Sequence, residues 1–327
     1  MIKPKNKALL DLIQKKRKCA RSSCRVYASN INRLHREFLP KTTFNVDLKW
    51  IYNNSTKLLV KLKKIDNLNT QRNMLAASIV ALDLLNAEKK RVPYINQIAV
   101  LNQKVKEIQI SGDMTKKQTE KYIDWDKIIK LRRLLSRTVR LGKFYTRKTY
   151  SRLEFQTLQQ NLVLSLYTML PPVRNDWSDV RFVTENEWSE LGQEQQTTNN
   201  LVLGRGGYRI YWANYKTVKK HGVIMEKIPK QLQTLLKKHI KFLREYFPEN
   251  NNLLLTSNGQ PMSRNLLTKF LQRLFYKHYR KKISTSALRS IFLTHKFDKN
   301  QLEEQRTLAR SMHHTPSVQR DFYVKNK

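Results

Sequence analysis

Five side chains in the second half of this chain make chemical sense together and little apart. They are Arg174 in LPPVRNDW, Lys216 in NYKTVKK, Arg289 in STSALRS, and His314 with Tyr323 in MHHTPSVQRDFY. Guanidinium groups present planar forks that match phosphate oxygens. A lysine and a histidine add positive charge and transferable protons. A tyrosine hydroxyl, with a pKa near ~10, becomes a usable nucleophile when positive charge surrounds it. Gathered around one phosphate, this set can cut and rejoin a nucleic-acid strand by transesterification. No metal or other cofactor is needed for that chemistry.

Each residue also has a plainer reading. Most arginines in so basic a chain are surface charge. Arg174, however, follows a helix stopped by Pro171-Pro172, and Asp176 can orient its fork. Arg289 lies mid-helix beside Leu288, Ile291 and Phe292, and an arginine on an apolar face needs a partner. Lys216 falls between two predicted strands, with Lys219 and Lys220 as rivals. His313 and His314 precede Thr315-Pro316, a good N-cap and first-turn pair, which places them at an anion-friendly helix start. Tyr323 lies two helical turns further on, one of 14 tyrosines, most of which serve packing.

In order and local setting the five residues resemble the active site of the tyrosine recombinases, the phage-integrase family. The resemblance covers residues 125–327 by motif and the N-terminal region only by architecture. Any one motif is weak; all five in order, with a hairpin around the lysine, are specific. The resemblance selects Lys216, in YKT, over its neighbours, and His314, nine residues before Tyr323, over His313. It implies that Tyr323 attacks the scissile phosphate to give a 3′-phosphotyrosyl link and a free 5′ hydroxyl, with Lys216 donating a proton to the leaving oxygen.

Two departures from the family pattern stand out. An acid usually lies three positions after the first arginine; here that position is Trp177 and the acid is Asp176. A histidine usually lies three positions before the second arginine; here it is Ser286. From position i of an i, i+3 pair, Ser286 can offer a hydroxyl to the phosphate bound by Arg289. It cannot act as an acid or base near neutral pH, so the proton transfers rest more heavily on Lys216. The PPVRNDW form resembles recombinases of large eukaryotic DNA viruses and related mobile elements. Such enzymes clamp double-stranded DNA between a helical core-binding domain and a catalytic domain, and act as homotetramers on two DNA sites.

The composition agrees with a nucleic-acid partner. The 327 residues include 64 Lys and Arg against 25 Asp and Glu, a formal net charge of +39. Such a field needs a polyanion, and the basic residues recur from end to end rather than along one amphipathic helix. Hydrophobic residues make up 40%, enough for folded domains. No stretch reads as a signal peptide or membrane span. Cys19 and Cys24 lack nearby histidines for a zinc site and read as reduced thiols of an intracellular protein. The expected location is the nucleus or a viral replication site in a eukaryote, or the cytoplasm and nucleoid in a prokaryote.

Four regions are expected: a basic arm over 1–18, a helical core-DNA-binding domain over 19–110, a linker over 111–124 and a catalytic domain over 125–327. In the first domain, Ser22 or Ser23 is expected to cap a helix running through Phe38. Leu58, Leu62 and Ile65 share a face, as do Leu75, Ile79 and Leu82. Beyond the linker, helices are expected over 125–141, 153–170, 231–246, 264–279, 284–297 and 302–311. Between them, alternation around the turn Gly204-Arg205-Gly206-Gly207 and a third strand over 223–228 predict a hairpin with a returning strand. The fold class is therefore mainly α with a small antiparallel β-sheet (α+β). Two other functions fit the same residues: a type IB topoisomerase-like or hairpin-resolving enzyme, and a DNA-binding protein whose catalytic centre has decayed.

Overall fold

The computed structural model describes residues 4–192 and 195–312. The chain divides into two compact units, Met1–Asp113 and Met114–Lys327. His314 and Tyr323, with the helix expected to carry them, lie outside the described residues.

The first unit is helical: α1 (Pro4–Arg17), α2 (Arg21–Phe38), α3 (Lys49–Asn53), α4 (Ser55–Lys63), α5 (Leu68–Leu84) and α6 (Glu88–Ser111). Helix α5 is its centre, with Met74, Leu75, Val80, Ala81 and Leu82 all buried against neighbouring helices. On α2 the buried residues Cys24, Ala28, Ile31 and Leu34 recur at helical spacing, so one apolar stripe faces α5 and the rest carries charge. Each fully buried Leu or Ile contributes about 1.5–3 kcal/mol. The first 18 residues differ from the expected arm. Lys15, Lys16 and Arg17 end a helix whose Leu9, Leu10 and Ile13 are buried in this core, so apolar spacing outweighs the charge run. The start of α2 also differs: its N-cap is Ala20, and Ser22 and Ser23 lie in the first turn. Cys24 donates its Sγ–H to the Cys19 carbonyl at 3.6 Å, and burial pushes its thiol up to about 11.

The second unit begins with the short α7 (Lys116–Thr119), closed by a capping box between Thr115 and Gln118, inside the segment expected as linker. Then come α8 (Trp125–Leu141) and α9 (Arg152–Met169). Helix α8 buries Ile128, Leu131, Leu135 and Val139 on one face. Helix α9 buries Phe155 and then every residue from Leu158 through Tyr167, so it is enclosed on nearly all sides. After α9 a 3-10 turn, Asn175–Asp179, leads into the sheet.

The sheet has strands β1 (Val180–Thr184), β2 (Asn199–Gly204), β3 (Gly207–Trp212) and β4 (Ile224–Lys227), in that spatial order. β2, β3 and β4 are antiparallel, as the turn chemistry predicts: Gly204 pairs with Gly207 around Arg205-Gly206, and Gly207 adopts φ +123, a conformation that favours glycine. β1 and β2 are parallel, so the sheet is mixed rather than wholly antiparallel. The chain passes from β1 through α10 (Glu185–Glu190) and returns to start β2 in the same direction, which no tight turn allows. Between β3 and β4 lies α11 (Val218–His221). The unit is completed by α12 (Lys230–Tyr246), α13 (Arg264–Tyr279), α14 (Thr285–Lys296) and α15 (Lys299–Ser311). No helix among the described residues is long and apolar enough to cross a membrane.

Candidate active site

Arg174 stands where α9 gives way to the 3-10 turn. Leu170 is already extended, and Pro171-Pro172 prevent the helix from continuing. The buried Tyr167 hydroxyl donates to the Arg174 carbonyl at 2.6 Å, which pins the backbone while the Arg174 side chain stays exposed. Three residues on, Trp177 anchors the turn in the core, its ring edge-on to Trp212 with centroids 4.8 Å apart. Trp177 therefore fills a packing role at the position where the family carries an acid.

The acid at 176 does a different job from the one expected. Asp176 is buried and pairs with Arg264 at the start of α13, Oδ1 to Nη2 at 3.4 Å. Arg264 also pairs with Asp179 at 2.7 Å and donates to the Asn214 carbonyl at 3.1 Å. Burial raises the Asp176 carboxyl above the usual carboxylate range, and the charges of Arg264 and Arg174 pull it back down. Asp176 thus neutralises Arg264 by direct contact and meets Arg174 through a backbone hydrogen bond and the charge of its side chain. The Arg174 guanidinium makes no ion pair among the described residues.

Asn175 joins this turn to the helix of the second arginine. Its Nδ2 donates to Thr268 Oγ1 on α13 at 2.9 Å, and its Oδ1 accepts from Thr285 Oγ1 on α14 at 2.8 Å. Thr285 is the first residue of α14, capped by Ser284, whose hydroxyl accepts from the Ala287 N–H. Ser286 is exposed in that first turn, and Arg289 is half-buried one turn later, flanked by the core residues Leu288 and Ile291. The start of α14, with the exposed Ser286 hydroxyl and Arg289 one turn on, combines a helix N-terminus and a guanidinium that both favour a phosphate. One side chain, Asn175, separates that helix start from the backbone of Arg174.

Lys216 lies in the connection between β3 and β4, exposed at a turn just before α11. Lys219 and Lys220 are exposed on α11 itself. The Tyr215 hydroxyl donates to the Gly222 carbonyl at 2.8 Å and closes the connection on itself. Its root is held by Asn199, which is fully buried at the start of β2. Asn199 Oδ1 accepts from the N–H groups of Ala213 and Asn214 at 3.0 and 2.8 Å. Its Nδ2 donates to the carbonyls of Asp176 and Asn214 at 3.3 and 3.1 Å. One amide therefore ties the base of the Lys216 connection to the turn that follows Arg174.

Of the six residues expected in the site, Arg174, Ser286 and Arg289 lie on neighbouring elements joined by Asn175. Lys216 is linked to them through Asn199 and Arg264. His314 and Tyr323 lie outside the described residues. Sequence reasoning missed Asn199, Arg264, Thr268 and Thr285. Asn199 had a faint signal, a polar pair opening the apolar strand NNLVL. Arg264 and the two threonines had none, because their partners are dozens of residues away.

No family model matches the chain. No curated protein matches it either. Among solved structures it is similar to the XerA recombinase at 12% identity, with a TM-score of 0.34, covering 88% of this chain and 82% of that one. It is also similar to the XerH site-specific recombinase, solved with its difH substrate as a pre-cleavage complex. There the identity is 15% and the TM-score 0.39, covering 90% of this chain and 76% of that one. Both likenesses are distant.

Proposed function

We propose that the protein is a site-specific DNA recombinase or integrase that works through a 3′-phosphotyrosyl intermediate. Tyr323 Oη gives up its proton to solvent and forms a bond to the scissile phosphorus, the bond from phosphorus to the 5′ oxygen breaks, and Lys216 supplies the proton that the leaving oxygen takes up. Arg174, Arg289 and His314 hold the phosphate and balance the charge that develops on its oxygens. Attack by a 5′ hydroxyl from another strand reverses the step, so the bond energy is conserved and no nucleotide is consumed. The partner is double-stranded DNA, bound by a homotetramer across two sites, in whichever compartment holds that DNA. The PPVRNDW segment favours an origin in a large eukaryotic DNA virus or a related mobile element.

The observation that carries this reading is the Asn175 brace, which holds the turn bearing Arg174 against the helix start bearing Ser286 and Arg289. Two arginines far apart in sequence are thereby delivered on adjoining elements, neither with an acidic partner among the described residues. A nicked suicide substrate built from repeats flanking the coding gene tests the proposal. A denaturation-stable protein–DNA adduct is expected, and Tyr323→Phe should abolish it. An adduct that survives that substitution would overturn the assignment.

Ser286 favours a second reading, a DNA-binding protein with a decayed centre, because an exposed hydroxyl replaces the family's histidine. That reading predicts sequence-specific binding without an adduct on any cognate substrate. A type IB topoisomerase-like or hairpin-resolving enzyme would form the adduct but exchange no strands between two sites.

A further inference from the structure

A groove of about 750 Å³ runs along the second unit, and none of Arg174, Lys216, Ser286 or Arg289 lines it. Three helices build it, each with one face, together with Lys143, Tyr145 and Thr146 of the connection between α8 and α9. Helix α9 packs against both α8 and α12 and supplies Asn161, Ser165 and Met169, spaced four residues apart. Helix α8 supplies Arg132, Arg133, Arg137 and Arg140 along one wall, while α12 supplies Lys238 and Lys241 on the other. At 1.5 Å per residue, Arg133 to Arg140 spread positive charge over about 10 Å of that wall.

The groove carries charge of one sign. Its lining contains no Asp or Glu, and its cations make no ion pair among the described residues. Arg132 is half-buried among them, and burial, followed by the charge of Arg133, lowers its pKa. Mutually repelling cations held together without acids cost stability unless something anionic joins them. The floor is also polar, and its groups are held in place: Ser165 Oγ donates to the Asn161 carbonyl at 2.8 Å. Asn161 and Ser165 are each 2% exposed, and Asn161 Oδ1 accepts from Ser136 Oγ of α8 at 2.7 Å.

We infer that this groove is a second anion site, separate from the candidate active site, which takes a ligand carrying several closely spaced phosphates. Arginine forks along one wall match phosphate oxygens bidentately, and the lysines opposite add point charges. A volume of this size suits a compact ligand or a short stretch of one strand, not the body of a duplex. The lining offers one aromatic ring, Tyr145, which packs edge-on with His239 and Phe242 at centroid distances of 6.0 and 6.2 Å, against seven cationic side chains. Recognition is therefore through phosphates, and two sources share that chemistry: a free polyphosphate and the backbone of a single nucleic-acid strand.

The test uses the full chain and two probes, inorganic tripolyphosphate and a mixed-sequence single strand, followed by titration calorimetry at low salt. The double variant Arg133→Glu/Lys238→Glu reverses two exposed groove charges. Lys104→Glu/Lys106→Glu, exposed on α6, makes the same change in net charge elsewhere. Saturable 1:1 tripolyphosphate binding, weakened at least tenfold by the groove variant and under threefold by the control, supports the site with a free polyphosphate as its ligand. The same pattern seen only with the strand supports it with a nucleic-acid backbone as its ligand. No binding of either probe, or equal losses in the two variants, overturns the proposal. Neither probe reacts with Tyr323, so this outcome and that of the adduct assay are independent.

Discussion

Thr285 Oγ1 donates to Asn175 Oδ1 across 2.8 Å, and that bond joins the turn after Arg174 to the first residue of the helix that carries Arg289. With the Thr268 contact it makes Asn175 a two-sided brace. Asn175→Ala removes both bonds and is expected to cost about 1–2 kcal/mol of stability. The larger effect falls on chemistry: a misplacement of ~1 Å can cost ~10²-fold in rate. Single-turnover adduct formation should therefore slow far more than the shift in unfolding midpoint would suggest. Equal, small effects on both would show that the brace serves packing alone.

Arg174 and Arg289 are expected to act on charge that develops during the reaction. Replacing either with Ala should reduce adduct formation by about 10²–10³-fold. Both side chains sit at exposed or half-buried positions, so thermal melting should change little. A variant that binds the DNA site normally but fails to form adduct identifies this role; loss of binding alone would point to simple DNA attachment.

Asn199 makes four hydrogen bonds from one fully buried amide. Asn199→Leu keeps the volume and leaves buried N–H and C=O groups unpaired, at a cost of about 1–3 kcal/mol for each group not rescued by water. A clear drop in the denaturant midpoint is expected, together with faster proteolysis of the connection bearing Lys216. An unchanged midpoint would contradict the role assigned to this residue.

His239 supplies a pH signature. It is fully buried, with Tyr145 Oη and Gln159 Nε2 at 3.1 and 3.4 Å from its two ring nitrogens, and burial lowers its pKa to about 3. The unfolded chain takes up a proton near pH ~6.5 that the folded chain refuses, so stability is full above that value and declines as pH falls from about 6.5 towards 3. The slope approaches about 1.4 kcal/mol per pH unit in that window. Melting curves of the wild type and His239→Gln between pH 7 and 4.5 should converge as pH falls. Parallel curves would show that another group governs the acid limb.

The charge of +39 predicts a steep salt response. If about 6–10 phosphates are contacted, affinity for a duplex site should fall ~10³–10⁵-fold between 50 and 200 mM salt. Fluorescence anisotropy over that range measures the slope directly. A flat response would remove the electrostatic basis for a nucleic-acid partner.

Local patterns alone were enough to place most helices of the second unit, the Gly204–Gly207 turn and the strands on either side. Periodicity, caps and paired prolines act within a few residues, so their outcome is legible along the chain. The basic N-terminus forms a helix rather than the arm its charge suggests, because Leu9, Leu10 and Ile13 are buried in a core supplied by α2 and α5. Tertiary structure alone decided the parallel pairing of β1 with β2, the pairing of Asp176 with Arg264, and the Asn175 and Asn199 braces. Each joins groups far apart in sequence. The energy of such a contact depends on distance and direction in the folded molecule, and neither is written in the order of the residues.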